Sequence, residues 1–90
     1  MITIADRQLL YQAVSDVDTE ATEATLKWPR YNSAHEGLGI LLEEVHELQH
    51  HVFTRQGARD LAAMRKEAIQ VAAVALRFAA ECCDEEVGRR

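Results

Sequence analysis

Apolar residues recur along this chain at steps of three and four, the period of an α-helix. Leu10, Val14, Val17, Ala21, Ala24 and Trp28 follow steps of four, three, four, three and four. They form one continuous stripe on a helix spanning about residues 4–27. Asp16, Asp18, Glu20, Glu23 and Lys27 lie around that stripe as a solvated face. Thr3 is placed to cap the helix, with Asp6 at the third helical position. Pro29 cannot continue a helix, so residues 27–33 read as a connector.

A second helix is predicted over residues 33–53. Ser33-Ala34-His35-Glu36 has the spacing of a capping box. Leu38, Leu41, Val45, Leu48 and Val52 form its stripe, and Leu42 widens it. Gly37 and Gly39 fall in its first turns, where each costs helix propensity and each would let another backbone approach. Residues 54–58 make the next turn, with Gly57 as the breaker and Thr54 or Asp60 available as the following cap. A third helix is predicted over 60–83. Leu61, Met64, Ala68, Val71, Ala75, Phe78 and Cys82 keep the three-four spacing, and Ile69, Ala72, Leu76 and Ala79 add a second stripe beside it.

The third helix is therefore apolar over more than half its circumference. Two neighbours within the chain would leave part of that face uncovered, and uncovered apolar area of this kind marks an interface. The expectation is an all-α fold in a single domain, residues 1–90. Its three long, antiparallel, amphipathic helices would complete their bundle by dimerisation. The polar tail, Asp84–Arg90, is expected to fray.

Composition narrows the function. Four glycines and one proline leave little material for turns, which agrees with long elements. Hydrophobic residues make up 48% of the chain and charged residues 28%, a globular balance rather than a disordered one. The formal net charge of −5 argues against a nucleic-acid polymer as partner, since such binding draws on concentrated Lys and Arg. It leaves room for a nucleoside triphosphate held through divalent metal. The first ten residues lack a basic segment followed by an apolar run, so no export signal is expected. The stretch Ile69–Ala80 is interrupted by Gln70 and Arg77 and is too short for a membrane span. Cys82 and Cys83 are adjacent and unsuited to cross-linking distant segments, which suits reduced thiols in a cytoplasmic protein.

Candidate chemistry gathers on the second and third helices. Glu43, Glu44 and Glu47 fall within Leu41-Leu-Glu-Glu-Val-His-Glu-Leu48. Glu44 and Glu47 project from one side of the helix beside its core stripe, where three acids in five residues repel one another. Glu67 and Gln70 share the same three-residue spacing on the third helix. If the two helices pack antiparallel, Glu44, Glu47, Glu67 and Gln70 can face one another, and such oxygen donors suit Mg²⁺ or Mn²⁺. Ordinary surface acids would show the same spacing. Glu43-x-x-His46 and Glu47-x-x-His50 offer a second reading, because helical di-metal bundles use Glu-x-x-His. Those bundles draw the motif from separate helices, however, whereas both copies here share one. No zincin motif, paired CxxC, glycine-rich phosphate loop or nucleophile elbow is present.

Glu43-Glu44-x-x-Glu47, followed on the next helix by Glu67-x-x-Gln70, resembles the Glu-Glu-x-x-Glu … Glu-x-x-Asp signature of the MazG-like, all-alpha nucleoside triphosphate pyrophosphohydrolases. The flanking segments, over roughly residues 33–80, look like small stand-alone, phage-like members. The first half of the signature matches in full; the second matches only at Glu67. The resemblance implies Mg²⁺ or Mn²⁺ held by Glu44, Glu47 and Glu67, with Gln70 at the position of a fourth ligand. Glu43 would be a further ligand or would orient water. It implies hydrolysis of a nucleoside triphosphate to a monophosphate and pyrophosphate, in a dimer or tetramer whose active bundle mixes chains. Arg65 and Lys66 would then contact phosphate, unless they are solvated helix residues. Trp28 and Tyr31 would stack on the base, although Trp28 also continues the apolar stripe. The amide at position 70 supplies no charge, so a non-catalytic helical module for nucleotide sensing or protein association is the alternative.

Overall fold

Each helix begins where a side chain satisfies its free amides. The computed structural model describes residues 1–90 and contains three long helices, α1 (Ile4–Lys27), α2 (Ala34–Phe53) and α3 (Leu61–Glu81), with no strand. At α1 the Thr3 hydroxyl accepts from the Asp6 amide at 3.0 Å, and the Asp6 carboxylate accepts from the Thr3 amide at 3.4 Å. The box expected at α2 is only half formed. Ser33 Oγ accepts from the Glu36 amide at 3.1 Å, but the Glu36 carboxylate takes the Asn32 side-chain amide instead. Asp60, not Thr54, caps α3, accepting from the Ala63 amide at 3.0 Å. Thr54 closes α2, its hydroxyl donating to the His50 carbonyl.

The chain runs up, down and up, so consecutive helices are antiparallel. Gly37 of α2 meets Phe78 and Cys82 near the end of α3, while Glu47 meets Glu67 near its start. Asp16 and Glu20 of α1 reach Arg65 and Gln70 of α3 in the same order, so α1 and α3 are parallel. The central helix is α3, packed against α1 on one side and α2 on another, whereas α1 and α2 scarcely touch. That placement covers part of both stripes on α3, while Leu61, Ala68, Ala75, Leu76 and Ala79 stay exposed, so part of the α3 face is uncovered as expected. The large apolar side chains left in solvent lie chiefly on α1 (Leu10, Val14, Leu26) and α2 (Leu38, Leu42, Val45). On α3 they are Leu61 and Leu76. No helix is long and apolar enough to cross a membrane.

The best-buried packing sits at one end of the bundle. Tyr31, Cys82 and Val87 form a small cluster, supported by Ile40, Val74 and Phe78. Gly37 is needed there: an added Cβ would lie 2.8 Å from Phe78 and 3.0 Å from Cys82 Sγ. Gly39 has open space around it, so the close approach expected of both glycines is made by Gly37 alone. The tail does not fray as expected. Asp84 caps a turn by accepting from the Val87 amide at 2.7 Å, Val87 is buried, and Arg90 donates to the Asn32 carbonyl.

A buried ion pair ties the connector to α3. Arg77 Nε donates to Glu81 Oε2 at 2.8 Å, Arg77 Nη2 donates to the Pro29 carbonyl, and the Tyr31 amide donates to Glu81 Oε1 at 2.9 Å. The Arg77 guanidinium also lies 4.7 Å over the Tyr31 ring. Charges this buried persist because their hydrogen-bonding capacity is largely used.

The chain is more open than its mass requires. It exposes 6782 Å². A compact monomer of 10.1 kDa exposes about 5,300 Å², which leaves an excess of roughly 1,500 Å². The radius of gyration is 15.0 Å, against about 12 Å for a compact domain of this length.

Candidate metal centre

The antiparallel pairing of α2 and α3 sets the middle of one helix against the early turns of the other. Glu44 and Glu47 of α2 thereby meet Glu67 of α3, with carboxylate oxygens of all three within 4.8 Å of one another. Glu44 and Glu67 are half-buried and Glu47 is exposed. Glu67 Oε2 is shut off from solvent with no hydrogen-bond partner. A buried carboxylate oxygen in that condition costs free energy unless something positive meets it. Burial, followed by the charges of Glu47 and Glu67, pushes the Glu44 carboxyl above its usual range.

These residues fit a hard divalent cation. In an octahedron with bonds of about 2.0–2.1 Å, neighbouring ligand oxygens stand about 2.9 Å apart and opposite ones about 4.1 Å. Bringing oxygens from within 4.8 Å to those separations is a matter of side-chain adjustment rather than backbone movement. The donors are carboxylates only; no histidine joins them, so the Glu-x-x-His reading finds no support in the assembled cluster.

The other candidates are distributed around this centre. Glu43 is exposed and outside the cluster, adding the weakest of the named repulsions felt by Glu44. Gln70 turns to α1, where its Nε2 donates to Glu20 Oε1 at 2.7 Å. Arg65 pairs with Asp16 at 2.8 Å. Lys66 is exposed, without an ion-pair partner, and borders the same groove between α1 and α3 as Arg65. His50 packs edge-on against its neighbour His51.

Beside the three acids lies a cavity of about 360 Å³ between all three helices. It shares Glu44 with the cluster, and Trp28, Tyr31, Ile40 and Val74 contribute apolar wall. Trp28 is 58% exposed, so the continued stripe does not take it into the core; Lys27 Nζ lies 5.2 Å over its ring, which also lines the cavity. Tyr31 is the opposite case. It is only 5% exposed, with Arg77 over its ring and Gly37 against its edge, so it is primarily a core residue.

Glu20 and Arg77 were not among the residues singled out by sequence pattern, yet both line this cavity. Arg77 had a signal: a lone cation within an apolar run, four residues before Glu81. Glu20 had none, because it sits among other acids on a helix with a solvated face. The chain matches no protein-family model, no curated protein and no solved structure.

Proposed function

We propose that this chain is a MazG-like pyrophosphohydrolase that splits a nucleoside triphosphate into a nucleoside monophosphate and pyrophosphate, with Mg²⁺ or Mn²⁺ as cofactor. The observation that carries this reading is the convergence of Glu44, Glu47 and Glu67, with its unsatisfied Glu67 oxygen, at the side of a ligand-sized cavity. The volume of about 360 Å³ lies within the range of small-molecule sites.

Glu44, Glu47 and Glu67 would hold the metal. When bound, it would neutralise charge on the triphosphate and lower the pKa of coordinated water. The chain's own contribution is to orient those oxygens from two packed helices. The carboxylate form of Glu44, whose carboxyl pKa is raised by burial and by the neighbouring acids, would be favoured by a bound cation. Glu43, at the rim, is assigned to a further ligand role or to orienting water. Trp28 supplies a flat apolar surface for the base. Of the two cations next to Glu67 in sequence, Lys66 is free for phosphate while Arg65 is held by Asp16.

The reading includes a homodimer in a cytoplasmic setting, where both free thiols stay reduced. Its support is the surplus surface and an apolar groove of about 610 Å³ between α1 and α3, lined by Leu10, Val14, Val17, Ala72, Ala75 and Leu76. Covering roughly 1,500 Å² on each of two chains gives an interface of the obligate class, and two-fold pairing is the commonest way to do so. The separate apolar stripe on α2, Leu38, Leu42 and Val45, is what a tetramer would use.

The test is pyrophosphate release from a panel of nucleoside triphosphates with Mg²⁺ or Mn²⁺. Turnover is expected, and Glu44→Gln and Glu47→Gln should each abolish it. A folded protein that turns over nothing would overturn the enzyme reading and favour the non-catalytic module.

A further inference from the structure

Gln70 occupies the position where the resembled signature has a carboxylate, and its side chain is engaged by Glu20, a residue outside that signature. The geometry of this pair has a chemical consequence. A carboxylate has no proton to give, so the 2.7 Å bond requires the Gln70 amide nitrogen to face Glu20. Gln70 Oε1 and Glu20 Oε2 then remain as acceptors without a protein partner. Both residues line the cavity that shares Glu44 with the three-acid cluster. The remaining polar lining adds little donor capacity. Glu36 only accepts, and Arg77 has given Nε to Glu81 and Nη2 to Glu81 and Pro29, which leaves its Nη1 and the Trp28 indole N–H as donors set against the carboxylates of Glu20, Glu36 and Glu44. The cavity thus combines apolar walls with a polar patch that mostly accepts hydrogen bonds.

Resting on the nucleotide reading above, we infer that the Glu20–Gln70 pair reads the base and selects one carrying an exocyclic amino group over uracil or thymine. Cytosine and adenine present an amino donor where thymine presents a carbonyl oxygen, and acidic side chains accept from the cytosine amino group. Guanine presents an amino group beside a ring N–H, two donors for two acceptors. A uracil or thymine carbonyl set against Glu20 would bring lone pairs together with no proton between them. A site built to hydrogen-bond its ligand rejects an analogue that leaves the site's polar groups unpaired.

Trp28 makes the inference measurable without turnover. It is the chain's only tryptophan, it is exposed, and it lines the cavity. The experiment titrates the full chain, in Mg²⁺, with α,β-imido analogues of dCTP and dUTP and follows Trp28 fluorescence. The dCTP analogue should bind at least about tenfold more tightly, the usual weight of a hydrogen bond to a charged group. Glu20→Gln places amide hydrogens at the reading position and should bring the two affinities to within about threefold, mainly by weakening the dCTP analogue. Gln70→Leu, which removes the other acceptor at similar volume, should also erode the preference. Equal binding of the two analogues, a preference for dUTP, no saturable response, or an unchanged ratio in both variants would overturn the inference. Pyrophosphate release without base discrimination would overturn it and leave the proposed function standing. A discriminating Trp28 response without any turnover would support it while the enzyme reading fails.

Discussion

Replacing Glu44 by glutamine should make the metal-free protein more stable. Glu44 lies with Glu47 and Glu67 inside a 4.8 Å cluster, and none of the three forms a salt bridge. Two like charges at 4.8 Å repel by about 0.9 kcal/mol at the dielectric constant of water and by about 3.5 kcal/mol at an effective value of 20. The pair with exposed Glu47 belongs near the lower figure, and the pair with half-buried Glu67 lies between the two. Solvent screening of these partly exposed groups keeps the net effect well below the sum of the pairs. A net gain of about 1–2 kcal/mol at neutral pH is expected, or a Tm rise of about 5–10 °C for a domain of this size. The raised carboxyl pKa fixes the sign of the pH dependence. Between the ordinary glutamate range and the raised value, the folded state binds more protons than the unfolded state. Wild-type stability therefore falls as pH climbs through that window and levels off above it, and Glu44→Gln lacks this slope. Thermal unfolding in EDTA at matched protein concentration measures the difference. Saturating Mn²⁺ should reverse the order, because only the wild type keeps the full ligand set. A Glu44→Gln protein with a Tm equal to or below wild type in EDTA would refute the reasoning.

Gly37→Ala should destabilise by about 1–3 kcal/mol, because its Cβ has no room beside Phe78 and Cys82, whereas Gly39→Ala should stabilise by up to about 1 kcal/mol; urea titration of both variants checks the contrast. Arg77→Ala should cost about 3–5 kcal/mol by leaving Glu81 buried without its partner, and denaturant unfolding would show it. Val14→Lys should shift the mass from dimer towards monomer in sedimentation equilibrium, and the wild-type Tm should rise with protein concentration. A wild type that sediments at about 10 kDa with a concentration-independent Tm would defeat the dimer.

The helices were legible from local pattern alone. Apolar spacing, Pro29 and the caps at Thr3, Ser33 and Asp60 act within a few residues, so α1, α2 and α3 begin and end within two residues of where the pattern puts them. The acids of α2 and α3 were legible too, since a run of like charges beside a core stripe is conspicuous in one dimension. Their convergence required a packing register as well, and that register depends on contacts such as Gly37 against Phe78, far apart in sequence.

Burial was not legible in the same way. Periodicity marks which residues share a face, not which face is covered. Leu38, Leu42 and Val45 of α2 share apolar character with Leu41, Leu48 and Val52, but only the latter are even half-buried. The double stripe of α3 suggested an uncovered face there; the central position of α3 covers part of both stripes and leaves Leu61, Ala68, Ala75, Leu76 and Ala79 exposed. The tail looked solvated by composition, and Val87 alone gave it an anchor. The pairing of Gln70 with Glu20, and of Arg77 with Glu81 and Pro29, likewise belonged to the tertiary structure. Sequence by itself determined helix content and the presence of a concentrated acidic segment, because propensity, capping and repulsion along one helix are short-range. Only the tertiary structure decided which acids share a centre, which ring stays exposed and which apolar face remains uncovered, because those depend on how whole helices shield one another from water.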